Sequence, residues 1–245
     1  MYKIGDVLST IDHNHWVWVF TGIGWVFGSI QFLEGIRLGY RNKMIGLPLG
    51  YLVAVFAHDS AYALNYDLWF HKVHHWYFTT FWYFYPFWVC VELACIIWFT
   101  KLAYREFKPA VPERLYFVIV GSFVATAVVL FHLLGSVIDD PLHIFGLAVS
   151  QVVNVVFMIP MIVRRGGTRG TSRLLGWSIL LGPGSLGLLQ SPAMVPALRT
   201  GWFYAMVVCM AALSVGYLLL FEYYRKREAA NPLATMTTQS ATALA

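Results

Sequence analysis

Two carboxylates stand where water should be scarce. Asp59 lies in FAHDSAYAL and Glu92 in WVCVELAC, each within an otherwise apolar run. An ionisable group at bilayer depth costs about 2.5–3.5 kcal/mol on insertion scales, so it faces a protein interior and marks either function or a hydrogen bond between helices. An acid in apolar surroundings keeps its proton more readily than one in water. A protonated carboxyl in a dry pocket is a general acid. Asp59 and Glu92 are therefore candidate catalytic residues, and His58 is the candidate group that tunes or reprotonates Asp59.

A second chemistry is metal binding. His71, His74 and His75 form HKVHH, the HxxHH spacing of membrane di-iron enzymes, and imidazole suits iron and zinc. His13, His15, His58, His132 and His143 could complete such a set. One box is fewer ligands than those enzymes use. The principal expectation is a site without metal, with an iron or zinc hydroxylase or desaturase as the alternative. Interfacial loop histidines with no ligand role are the structural alternative.

Aromatic residues make up 17% of the chain, with the densest run from Trp76 to Trp88. Most suit a belt at the membrane interface. Aromatic faces also stabilise a cation away from water. Tyr62, Trp76, Trp82, Tyr85, Trp88 and Trp177 are the candidate substrate-binding residues on that ground.

These groups need elements to hold them, and composition says which. Of 245 residues, 59% are hydrophobic and 12% charged. Mean hydropathy is +0.63. A soluble domain carries about 25% charged residues. About 20 mostly apolar residues cross a bilayer as a helix. Seven stretches qualify, at roughly 16–36, 46–66, 79–101, 115–136, 142–163, 173–191 and 201–223. The sixth contains LLGPGSLGLL, which only neighbouring helices could hold together. The expected fold is all-α, a single seven-helix bundle over residues 1–228, followed by a disordered tail at 229–245.

Charge gives the expected orientation. Arg37, Arg41 and Lys43 follow the first stretch, and Lys101, Arg105, Lys108 and Arg114 the third. Arg164, Arg165, Arg169 and Arg173 follow the fifth, and Arg225, Lys226 and Arg227 the seventh. Only Lys3, Lys72 and Arg199 fall on the other side. Basic loops stay in the cytoplasm, which puts the amino terminus and the histidines outside and the carboxyl tail inside. The same clustering accounts for the net charge of +5 without nucleic acid. The expected location is a plasma, inner or endoplasmic-reticulum membrane, crossed several times. No apolar signal core precedes the first stretch, so no cleaved signal peptide is expected. Cys90, Cys95 and Cys209 read as small buried apolar residues with no disulfide framework.

Absent motifs narrow the chemistry. There is no GxxxxGK[ST] and no GxSxG. Asp139-Asp140 is followed by PLH, so no DDxxD forms, and DxDD is missing. No lysine lies mid-span to carry a retinal. A transporter or pH-sensitive sensor remains the reading without catalysis.

Three segments carry a resemblance. They are GIGWVFGSIQFLEGIR with GLPLGYLVAVFAHDSAYAL, then GGTRGTSRLLGWSILLGPGSL, then YLLLFEYYRKR. Together with length and helix count, they make most of residues 17–227 resemble the small membrane terpene cyclases of fungal meroterpenoid and indole-diterpene pathways and their bacterial relatives. The resemblance implies an enzyme of the isomerase or lyase class acting on a lipophilic isoprenoid drawn from the bilayer. Protonation of an epoxide or alkene would start ring closure, with no cofactor. The family's helix-2 pattern is of the type WE..YG. His58-Asp59-Ser60-Ala61-Tyr62-Ala63 occupies that place, so the resemblance gives Asp59 the proton-donor role. The family's second carboxylate, on helix 7, corresponds to Ser214, and Glu92 is the candidate substitute. The HKVHH loop has no counterpart in the family.

Overall fold

A computed structural model of the chain describes residues 2–108 and 110–230. Long apolar runs cannot leave backbone groups unpaired in lipid, and helices pair them internally. The described residues are accordingly helical, with no strand among them.

The chain opens with α1 (Ile4–His13), whose Val7 and Ile11 are fully buried, one helical turn apart. Asn14 then turns the backbone. Its Oδ1 accepts from the Trp16 N–H at 3.2 Å, and its Nδ2 donates to the Ala193 carbonyl at 3.2 Å. That side chain caps α2 (His15–Asn42). After α3 (Leu49–Leu64) comes a π-helical turn at Leu68–Val73. Next are α4 (Trp76–Trp82), α5 (Tyr85–Phe107), α6 (Glu113–Val137) and α7 (Ile144–Arg165). The chain ends with α8 (Arg173–Leu181), α9 (Gln190–Met194), a 3₁₀ turn at Pro196–Leu198 and α10 (Gly201–Ala230).

Five segments are long and apolar enough to cross a membrane: α2, α4 with α5, α6, α7 and α10. Two of the seven expected spans differ. The second is α3, with only 16 residues, about 24 Å of helix. It is the hub of the bundle, packed by α5, α6 and α7 and buried on most sides. Its extension toward the basic end is irregular backbone that side chains satisfy. Glu106 accepts from the Ile45 N–H at 3.0 Å, and Arg165 donates to the Ile45 carbonyl at 2.5 Å. Arg165 and Glu106 also pair with each other at 2.7 Å, both nearly buried.

The sixth expected span is not one helix. α8 stops after nine residues, and turns fill the chain up to α9. Pro183 and its flanking glycines break the helical ladder there. Close packing keeps the broken backbone in place. A Cβ on Gly187 would stand 2.6 Å from the Gly182 oxygen and 2.9 Å from Gly24 Cα on α2. A Cβ on Gly184 would collide with Ser214 Oγ on α10.

The two ends of the bundle differ in chemistry. At the basic end, Glu34 binds Arg37 through both oxygens, at 2.6 and 2.7 Å, and accepts from Ser172 at 2.6 Å. Glu222 pairs with Arg173 and with Arg225. Glu228 accepts from both the N–H and the hydroxyl of Thr168. At the histidine end, Asp140 caps α7 by accepting from the Ile144 N–H at 3.1 Å and the Gly146 N–H at 2.9 Å. The Tyr2 hydroxyl donates to the same carboxylate at 2.5 Å. Burial and the Asp140 charge push that hydroxyl far above its ordinary pKa, so it stays a donor. α10 continues two residues past the expected boundary at 228, and residues 231–245 of the expected tail lie outside the described residues.

Candidate functional site

Consecutive residues on a helix project about 100° apart. His58 and Asp59, next to each other on α3, therefore open onto different spaces. Asp59 lines a cavity of about 130 Å³ among α2, α3, α5 and α7, while His58 lines a smaller one of about 40 Å³ toward the histidine end. Trp25, Tyr85, Leu147 and Gln190 border both. The two side chains meet where the cavities approach, with His58 Nδ1 2.6 Å from Asp59 Oδ1.

That contact fixes a proton count. His58 Nε2 lies 3.2 Å from the His143 carbonyl, which can only accept, so Nε2 carries hydrogen. The short Nδ1–Oδ1 contact needs another proton between its two atoms. The hydrogen-bond network thus gives the pair two protons, one more than a neutral imidazole beside a carboxylate would hold. His58 and Asp59 are 3% and 5% exposed respectively.

Asn65 extends the network. Its Nδ2 lies 2.7 Å from the Ala61 carbonyl and 3.2 Å from His143 Nε2. As the donor in the second contact, it makes His143 Nε2 the acceptor. His143 joins His58 in lining the smaller cavity.

Glu92, on α5, is fully buried beside Asp59. Tyr51 and Tyr85 lie within the electrostatic reach of both carboxylates. Glu92 itself is not on the cavity wall. Ser214, where the resemblance would place an acid, donates to the Met210 carbonyl at 2.8 Å and is wedged under Gly184.

The candidate aromatic residues divide. Tyr85 and Trp88 line the larger cavity, and Tyr62 lines the smaller. Tyr62 is stacked between Trp69 at 4.1 Å and Tyr85 at 4.2 Å, and its hydroxyl donates to the Phe78 carbonyl at 2.8 Å. Trp76, Trp82 and Trp177 line neither cavity. Trp76 stacks on Trp18 at 4.7 Å, Trp82 donates to the Ala63 carbonyl at 3.0 Å, and Trp177 is half exposed on α8.

The HKVHH side chains do not converge. His74 Nδ1 contacts the Phe70 carbonyl at 3.1 Å, His75 Nε2 contacts Asp12 at 3.2 Å, and His71 packs edge-on to Tyr66. His13 bonds its own helix, at the Ser9 carbonyl, and His15 packs on Trp16. Among the described residues, no three histidine, cysteine or acidic side chains gather as a metal set. The expected alternative ligand group is therefore not assembled.

The structure adds residues with no charge to reveal them. Gln31 on α2 and Asn154 on α7 are fully buried and bonded reciprocally, at 2.8 and 2.9 Å. Both line the larger cavity, as do Gln151 and Gln190. The sequence signal is an amide amid apolar residues at membrane depth.

No family model, curated protein or solved structure matches the chain.

Proposed function

We propose that the chain is a membrane-embedded enzyme that protonates an epoxide or alkene of a lipophilic isoprenoid, in the manner of the membrane terpene cyclases it resembles. The observation that carries this is the His58–Asp59 pair, held as a loaded proton donor at the edge of a cavity with Trp25, Phe32, Tyr51, Tyr85 and Trp88 on its wall. Seven passes are proposed, with α3 and the broken α8–α9 segment joining the five long helices. The histidine end lies outside and the basic end in the cytoplasm.

Asp59 delivers the proton to the epoxide oxygen or to one alkene carbon. The C–O bond, or the C=C π bond, breaks and leaves a carbocation. A second alkene attacks it, forming a ring C–C bond and moving the charge along the chain. Loss of a proton from carbon ends the sequence, so the product is an isomer of the substrate. Trp25, Tyr85 and Trp88 present aromatic rings to the cation. Glu92 lies beside Asp59, and two carboxyls so close in an apolar site do not both ionise, so one proton stays between them. His58 reloads Asp59 from the smaller cavity, whose 40 Å³ is large enough for water. The larger cavity is smaller than the roughly 300–1,000 Å³ usual for whole ligands. It takes the reacting end of the chain.

The test is turnover by full-length protein in lipid nanodiscs. The probes are C15, C20 and C30 polyprenes and polyprenols and their terminal epoxides, with products analysed by mass spectrometry. A cyclic isomer is the expected product. In D₂O, an alkene substrate gains one non-exchangeable deuterium. Recovery of every probe unchanged would contradict the proposal.

A further inference from the structure

The larger cavity has a second wall that acid chemistry does not need. Ser150, Gln151 and Asn154 fall on one face of α7, and Gln31 of α2 and Gln190 of α9 meet them. Each exchange of an apolar side chain for an amide at this depth has a cost unless its polar atoms find partners. Gln31 and Asn154 satisfy one another, and Ser150 donates to the Leu147 carbonyl at 2.8 Å. Gln151 is different. Its Oε1 is shut off from solvent and accepts no hydrogen bond among the described residues. A buried acceptor without a donor is a cost that bound ligand can remove.

The charge of the wall limits what that ligand is. Among the described residues no lysine, arginine or histidine lines this cavity, and Asp59 does. A phosphate or diphosphate would enter without a counter-charge and beside a carboxylate. A carbonyl, ether or epoxide oxygen only accepts, so it offers Gln151 Oε1 nothing. A hydroxyl donates and accepts, which matches an amide wall.

We infer that the amide wall, through Gln151, is a subsite for a hydroxyl group, and that the ligand of this cavity is a neutral lipid alcohol. This rests on reading the cavity as the isoprenoid pocket. Gln151 orients the ligand by its oxygen and leaves the carbon chain to the aromatic wall opposite. A site with a buried polar group discriminates strongly against an analogue that leaves the group unpaired.

The test measures binding rather than turnover. The full chain in nanodiscs is titrated with C10, C15 and C20 isoprenoid alcohols, their methyl ethers and their monophosphates. Quenching of tryptophan fluorescence is read against empty nanodiscs. At one or more chain lengths the alcohol is expected to bind about tenfold tighter than its ether, which is about 1.4 kcal/mol. Gln151→Met should erase that gap and leave the ether's affinity unchanged. Equal binding of alcohol and ether at every length overturns the inference without any variant being needed. Tightest binding by a monophosphate overturns it too, as does a gap that survives Gln151→Met. In Asp59→Asn the gap should persist, since that variant removes the acid and keeps the wall. Loss of the gap there would make Asp59 the acceptor in place of Gln151. Loss of turnover with the gap intact separates failure of the acid chemistry from failure of the subsite.

Discussion

Asp59 becomes informative through the atoms next to it. A buried aspartate alone is compatible with a structural bond between helices. The His143 carbonyl at one nitrogen of His58 and the Asp59 carboxylate at the other give the ring a hydrogen-bond partner on each side. If His58 reloads the acid, His58→Ala should fold and lose about 10²-fold in turnover, within the range of general acid–base catalysis. Added imidazole should restore part of it, which a purely structural role of the ring would not allow. No rescue over millimolar concentrations, in a folded variant, would remove the relay. Asp59, Glu92 and His58 were visible in the sequence because charge at membrane depth stands out against apolar neighbours. The proton count was not, since it depends on a backbone carbonyl 85 residues away. Gln31, Gln151 and Asn154 carry no charge, and in a chain this apolar their weight emerges only when α2 and α7 are brought face to face.

The elements are legible in proportion to their regularity. Long apolar runs bounded by basic turns read directly as α2, α5, α6, α7 and α10. α3 is shorter than its apolar run because Pro48 starts it late and Asn65 ends it early, a boundary that hydropathy blurs. The sixth run shows Pro183 and glycines in the sequence, but whether neighbours keep it helical or let it break is decided by α2 and α10. Gly187→Val should therefore abolish folded yield, measured by monodisperse recovery in detergent, because the new side chain has Gly24 and Gly182 in its place. Normal recovery would mean that the close approach is dispensable. Asp139-Asp140 shows how a familiar-looking pair acquires another role. Asp140 holds the first turn of α7 and the Tyr2 hydroxyl. Asp140→Ala strands those donors and should destabilise by about 2–3 kcal/mol, read as a lowered Tm. An unchanged Tm would contradict the capping role.

Across the whole molecule, chemistry is separated by end. Ion pairs tie α5 to α7 and α8 to α10 at the basic end, and the His58–Asp59 contact lies toward the other. The positive-inside rule then predicts that a reporter fused after residue 228 is cytoplasmic, and that a cysteine placed at Lys72 is labelled from outside in a variant lacking Cys90 and Cys209. Labelling of that cysteine only after membrane disruption would invert the orientation. The most direct test of the central claim compares wild type with Asp59→Asn in nanodiscs, using the same polyprenes and terminal epoxides. Wild type should form a cyclic isomer, while the folded asparagine variant should fall by at least about 10³-fold, because it keeps the shape of the side chain and loses the transferable proton. Turnover by Asp59→Asn at the wild-type rate would contradict the account.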